Sequence, residues 1–153
     1  MMTEDFSRKF ESNLGKKMTL DEIIKKRRSV RKFQDKPVSL ELLEELVALA
    51  RRGPSAGALR GYRAIITKEK LAYDAPACVV VCVDEEKYVP RYGERGRSLY
   101  AIQDSAIFAA YLQLLLVDRG LSSVWVGAFR EGRLKRHLAT DLRPVAIIAI
   151  GYE

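Results

Sequence analysis

Apolar residues recur along the chain at two periods, one helical and one extended. Phe6, Phe10 and Leu14 lie at helical spacing, which predicts an N-terminal helix or arm over 1–17 ahead of a main domain over 18–153. Thr19-Leu20-Asp21-Glu22 reads as a capping box, with the Thr19 hydroxyl and the Glu22 carboxylate satisfying the first amides of a helix. That helix passes through Ile23 and Ile24 into a basic run, and Ser29 to Phe33 is extended. Pro37-Val38-Ser39 forms a turn, and Ser39 caps a helix from Leu40 to Arg51 that Gly53-Pro54 stops. After the small-residue loop Ser55-Ala56-Gly57-Ala58, strands are expected at Tyr62 to Thr67 and Ala77 to Val83. The second strand is apolar without alternation, so both of its faces should be covered.

Residues 84–97 read as a charged, glycine-containing connection. The next segment, Ser98 to Asp118, predicts a long helix whose small and apolar residues occupy nearly every face. Such a helix needs burial all round, which in so small a domain implies a second subunit against one side. Ser122 to Val126 reads as a strand, Arg130 to Ala139 as a helix and Val145 to Ile150 as a last strand. The fold class is α+β: a short, largely buried sheet wrapped by helices.

Composition narrows the picture a little. At 153 residues and 48% hydrophobic, the chain suits one domain with a substantial core. Its net charge of +7 suits an anionic partner of some kind, and the placement of the charges must decide which. No run of consecutive apolar residues approaches the roughly 20 needed to span a bilayer, and the N-terminus is polar and mixed in charge, unlike a signal peptide. Cys78 and Cys82 fall on one face of one strand, too far apart for an easy disulfide. A cytoplasmic protein with no membrane partner is expected.

Two segments are candidates for chemistry. Arg27-Arg28-Ser29-Val30-Arg31 gathers three guanidinium groups and a hydroxyl, and an extended backbone would aim Arg27, Ser29 and Arg31 to one side. Guanidinium forks match phosphate oxygens, so this is an anion cradle; a solvated basic helix end is the alternative. Pro54-Ser55-Ala56-Gly57-Ala58 lets backbone approach a flat ligand closely, or is an ordinary helix-to-strand loop. His137, the single histidine, stands in a basic helix and, with two strand cysteines, offers no metal-site spacing. Asp104 reads as a carboxylate favoured by the dipole of the long helix, or as a partner for an arginine. Arg91, Arg95 and Arg97 interleave with Tyr88, Tyr92 and Tyr100 like a nucleic-acid surface, but no recognition element accompanies them and no nucleic-acid partner is expected.

The order of the parts resembles the nitroreductase family of FMN-dependent oxidoreductases over about residues 20 to 152. The resemblance rests on Arg-Arg-Ser-x-Arg-x-Phe, Pro-Ser-Ala-Gly-Ala-Leu-Arg, Tyr100 to Ala106, Gly120 to Phe129 and the closing Ile150-Gly151-Tyr152. It implies that Arg27, Arg28, Ser29 and Arg31 hold the FMN phosphate and ribityl chain. Pro54, Ser55, Ala56, Gly57, Ala58 and Arg60 would lie along the flavin from the neighbouring subunit. Val126, Gly127 and Ala128 would pass behind the ring and offer a backbone amide toward N5. It further implies a homodimer with the long helix at its interface, and a ping-pong reduction of nitroaromatic, quinone or similar acceptors by NAD(P)H, with no catalytic side chain and no metal. A flavin-binding protein without turnover is the second possibility. The sequence departs from many members at Ala58, where they carry Asn, and at Arg60-Gly61-Tyr62, where they carry Gln-Pro-Trp. The loop is more similar to that of the branch related to azoline oxidases. Two further departures are the stop at Glu153, without the arm that embraces a partner, and a short segment between the first two strands that leaves the pocket less roofed.

Overall fold

The computed structural model describes residues 17–153. The helix or arm expected over 1–17 lies, except for Lys17, outside the described residues. The chain runs α1 (Leu20–Lys26), α2 (Leu40–Ala50), β1 (Tyr62–Thr67), β2 (Ala77–Val83), α3 (Val89–Arg95), α4 (Ala101–Asp118), β3 (Ser122–Val126), α5 (Glu131–Leu138) and β4 (Arg143–Gly151). The four strands form one sheet in the order β1-β2-β4-β3, antiparallel throughout.

β2 is buried at every residue because it is a central strand with a layer on each face. On one face Val79, Val81 and Ile148 pack with Leu43 and Leu46 of α2 and Phe108, Leu112 and Leu116 of α4. On the other, Cys78, Val80, Cys82 and Ile147 pack with Leu134 of α5, beside Phe33 and Phe129. Both cysteines are therefore unpaired, buried and on the same face. Burial pushes both thiols above their ordinary range, Cys82 up to about 11.

The helix starts follow the capping residues. The Glu22 amide donates to the Thr19 hydroxyl oxygen at 3.2 Å, and the Leu42 amide to that of Ser39 at 3.2 Å. Glu22 closes its box on the Thr19 hydroxyl, 3.3 Å away, rather than on the Thr19 amide.

The connection expected over 84–97 is helical. A 3-10 turn at Glu85–Tyr88, α3, which kinks at Gly93 (φ 60°), and a π-helical turn at Gly96–Tyr100 lead into α4. Its anchor is Tyr88, fully buried in the core beneath a segment otherwise rich in charge. A single large aromatic drawn inward gives no helical periodicity to read, and Gly93 and Gly96 obscure it further. This run holds an 18-residue window of mean hydropathy 1.4, long and apolar enough on those measures to cross a bilayer, although no uninterrupted apolar run revealed it. Half of that window is buried inside the fold, where α4 packs on the sheet and α2.

The all-round apolar character of α4 is matched by burial on one side only. Phe108, Ala109, Leu112, Leu116 and Val117 face the core, whereas Ala106, Ile107, Ala110, Tyr111 and Leu114 form a partly or fully exposed stripe.

Candidate functional site

The basic segment is built by one buried valine. Val30 turns into the core, its amide donates to the Ser123 carbonyl of β3 at 3.0 Å, and Ser29 pairs as a parallel bridge with Ser123. Extended backbone then forces the flanking residues outward, and Arg27, Ser29 and Arg31 are all exposed on the side away from Val30. Among the described residues, no carboxylate pairs with Arg27 or Arg31. Arg28 goes the other way, as alternation requires. It pairs with the Glu153 carboxylate and, with Lys26, Lys36 and Tyr152, lines a groove of about 380 Å3 that Val30 and Ser123 also line. Beneath the segment, Gln113 of α4 donates from Nε2 to the Ser123 hydroxyl at 3.1 Å, both side chains being buried. At the far end of β3, Val126 is half-buried, and Gly127 and Ala128 are exposed backbone carrying little or no side chain.

The loop from Pro54 to Arg60 is tightly wound. A 3-10 turn at Ala56–Ala58 carries Gly57 at φ 54°, Ala58 at φ 55° and, two residues on, Arg60 at φ 46°. Left-handed backbone suits Gly57 and strains Ala58 and Arg60. A Cβ at Gly57 would meet Arg91 Nη1 at 2.5 Å and the Tyr92 hydroxyl at 2.7 Å, so the α3 segment lies directly on the turn. Pro54, Gly57 and Ala58 are exposed and present only small groups to a ligand. Arg60 turns back on its own loop: Nε donates to the Arg51 carbonyl at 2.6 Å and Nη2 to the Gly53 carbonyl at 3.3 Å. Its guanidinium braces the end of α2.

The role that the sequence did not reveal is that of Asp104. The residue is 3% exposed, and instead of pairing with an arginine it accepts from the Ser55 hydroxyl at 2.5 Å, the Ala56 amide at 3.0 Å and the Tyr88 hydroxyl at 2.7 Å. Tyr88 is held protonated well above the usual phenol range, first by burial and next by this hydrogen bond. The helix continues upstream of α4, so Asp104 caps no free helix end. No sequence signal joins positions 48 and 49 residues apart; a Ser in the loop and a Tyr in a charged stretch were the available clues.

These parts are not all brought together within one chain. The basic segment and β3 meet at Ser123, above Gln113, whereas the 54–60 loop is tied to Asp104. Those two points lie nine residues apart on α4, about 14 Å along the axis. The exposed apolar stripe of α4 lies between them in sequence, apart from Leu114 just beyond Gln113.

Residues 24–74 and 67–152 match the sequence profile described as the nitroreductase family. The chain belongs to the nitroreductase family. It is 28% identical over 157 residues to a protein of Methanothermobacter thermautotrophicus named as an NADH dehydrogenase/NAD(P)H nitroreductase, an alignment covering 89% of this chain and 78% of that one. A nitroreductase family protein of Clostridium difficile 630 superposes with a TM-score of 0.78 at 31% identity, over 89% of this chain and 85% of that one. An FMN-dependent nitroreductase of Clostridium difficile R20291 superposes with a TM-score of 0.72 at 26% identity, over 86% of each chain. The antiparallel sheet with one long central helix is thus the nitroreductase fold, and the chain is an oxidoreductase of that family.

Proposed function

We propose that the chain is an FMN-dependent oxidoreductase that takes electrons from NADH or NADPH and passes them to nitroaromatic, quinone or similar acceptors in two successive half-reactions. The observation that carries this reading is the one-sided display of Arg27, Ser29 and Arg31, fixed by Val30 on β3 in a nitroreductase fold. Relatives named as NAD(P)H nitroreductase and FMN-dependent nitroreductase support it.

The donor set fits FMN. Two exposed guanidinium groups without carboxylate partners among the described residues, and a hydroxyl between them, suit a phosphate and a polyol. Ala56, Gly57 and Ala58 offer a surface that a planar ring can approach, and the exposed Gly127-Ala128 backbone offers an amide donor without a side chain in its way. FMN, when bound, supplies the two-electron redox chemistry, and the protein supplies position and electrostatics. Arg27 and Arg31 hold the phosphate, and the 54–60 loop excludes water from one side of the ring. Excess positive charge around the site favours electron-rich, anionic species. Because the basic segment and the loop sit about 14 Å apart along α4, a second copy completes the site, its α4 stripe packed against the first. The unpaired buried thiols suit a reducing, cytoplasmic setting.

Steady-state rates with NADPH and a quinone as varied substrates test the reading. Parallel double-reciprocal lines are expected. Uptake of FMN with no reduction by either nucleotide would leave a flavin-binding protein without turnover.

A further inference from the structure

We infer that Asp104 is a positioning residue that holds the loop over residues 55–61 in its wound conformation, and that FMN affinity depends on it through that loop. The inference rests on the flavin-site reading for its second half only.

The loop contains three residues at positive φ, of which Ala58 and Arg60 carry the steric cost that left-handed backbone imposes on L-residues. Such backbone persists only where surrounding contacts over-determine it. Here those contacts converge on one carboxylate. Asp104 takes the Ala56 amide directly at 3.0 Å, at the start of the turn. The Ser55 hydroxyl donates to it at 2.5 Å and in turn accepts the Arg60 amide at 2.9 Å. The Tyr88 hydroxyl donates to it at 2.7 Å and accepts the Gly61 amide at 3.0 Å. One buried side chain therefore commands the amides of Ala56, Arg60 and Gly61, directly or through a single hydroxyl, and so ties both ends of the turn together. Both hydroxyls are oriented the same way: proton toward the carboxylate, lone pair toward a loop amide. A group that only accepts is what sets that orientation.

Asp104→Asn keeps the size and changes this logic. The Ser55 and Tyr88 hydroxyls share one carboxylate oxygen, Oδ2, and the Ala56 amide takes the other, so the single acceptor oxygen of Asn serves either the hydroxyls or the Ala56 amide and leaves the other side facing an NH2 group. Tyr88→Phe keeps the buried ring and removes the relay to Gly61 alone. Neither residue is expected to touch the flavin.

The test measures two quantities on the full chain. The first is amide hydrogen exchange of the FMN-free protein at Ala56, Arg60 and Gly61, with the β2 amides of Val79 to Val81 as the reference for global opening. Asp104→Asn is expected to speed exchange about tenfold at Ala56 or at Arg60 and Gly61, whichever side loses the acceptor oxygen, the scale of one charge-assisted hydrogen bond, with β2 unchanged. Tyr88→Phe is expected to do so at Gly61 only. The second is FMN affinity by fluorescence titration. Asp104→Asn is expected to weaken binding about tenfold, and Ser55→Ala combined with it to weaken binding no further, because both act through one loop. Unchanged loop exchange in Asp104→Asn, or a rise in β2 exchange to match, overturns the positioning role. Faster loop exchange with unchanged FMN affinity overturns the link to the flavin. Wild-type protein that takes up no FMN overturns the flavin reading and that link with it, while the exchange data still decide the positioning role.

Discussion

Arg27, Ser29 and Arg31 are exposed and alternate with Val30, which points inward, whereas the equally exposed Arg28 pairs with Glu153 on the other side of the extended backbone. FMN affinity is therefore expected to fall at least about tenfold in Arg27→Ala and in Arg31→Ala, each losing a charge-assisted contact to phosphate. Arg28→Ala, which breaks an exposed pair with Glu153, is expected to change it much less. Fluorescence titration separates the three. At the turn, Ala58 sits at φ 55° beside Gly57 at φ 54°. Ala58→Gly is expected to stabilise the fold by about 0.5–1 kcal/mol and Gly57→Ala to destabilise it by about 1 kcal/mol or more in urea titrations. The alkaline limb of stability follows from Cys82. A thiol held protonated to about 11 when folded ionises near its ordinary 9 when unfolded, so its contribution is complete below pH 9 and lost between pH 9 and 11. Stability should fall there by about 1.4 kcal/mol per pH unit from this thiol alone. Cys82→Ala is expected to flatten that slope in melting curves recorded across the interval. The arginine segment was legible in the sequence because alternation and side-chain chemistry are local. Asp104 was not, because its partners Ser55, Ala56 and Tyr88 reach it only through tertiary packing.

Among the elements, α4 has two faces and only one of them is covered by this chain. Ala110 is exposed in the middle of the Ala106, Ile107, Ala110, Tyr111, Leu114 stripe, so Ala110→Glu disturbs no core contact. Light scattering should show a dimer for the wild type and a monomer for Ala110→Glu, with the far-ultraviolet spectrum retained. A dimer that survives the substitution would remove the stripe from the interface. The strands Tyr62–Thr67, Ala77–Val83 and Ser122–Val126 have the bounds that their sequence pattern predicts, since uninterrupted or alternating apolar runs between turn residues report directly on a sheet. The helical run before α4 was not legible. Its stability comes from burying Tyr88 and from the close approach of Gly96, where a Cβ would lie 2.7 Å from the Tyr88 carbonyl oxygen. Pattern reading weighs charge and glycine there and cannot see that single anchor.

For the whole molecule, the central consequence is a divided site. The basic segment lies over Ser123 at one place on α4 and the wound loop at Asp104, about 14 Å away. In the proposed dimer a two-fold copy across the α4 stripe would bring one of each together, and cofactor binding would then be linked to dimerisation. The net charge of +7 then reads as attraction for a phosphorylated cofactor and for anionic reductants. The measurement that bears most directly on this account is the visible absorption spectrum of purified protein incubated with FMN, desalted, and then treated anaerobically with NADH or NADPH. Flavin bands that stay with the protein, bleach on adding one of the nucleotides and return with a quinone are the expected result. Protein that emerges colourless from desalting, or flavin bands that neither nucleotide bleaches, would contradict it.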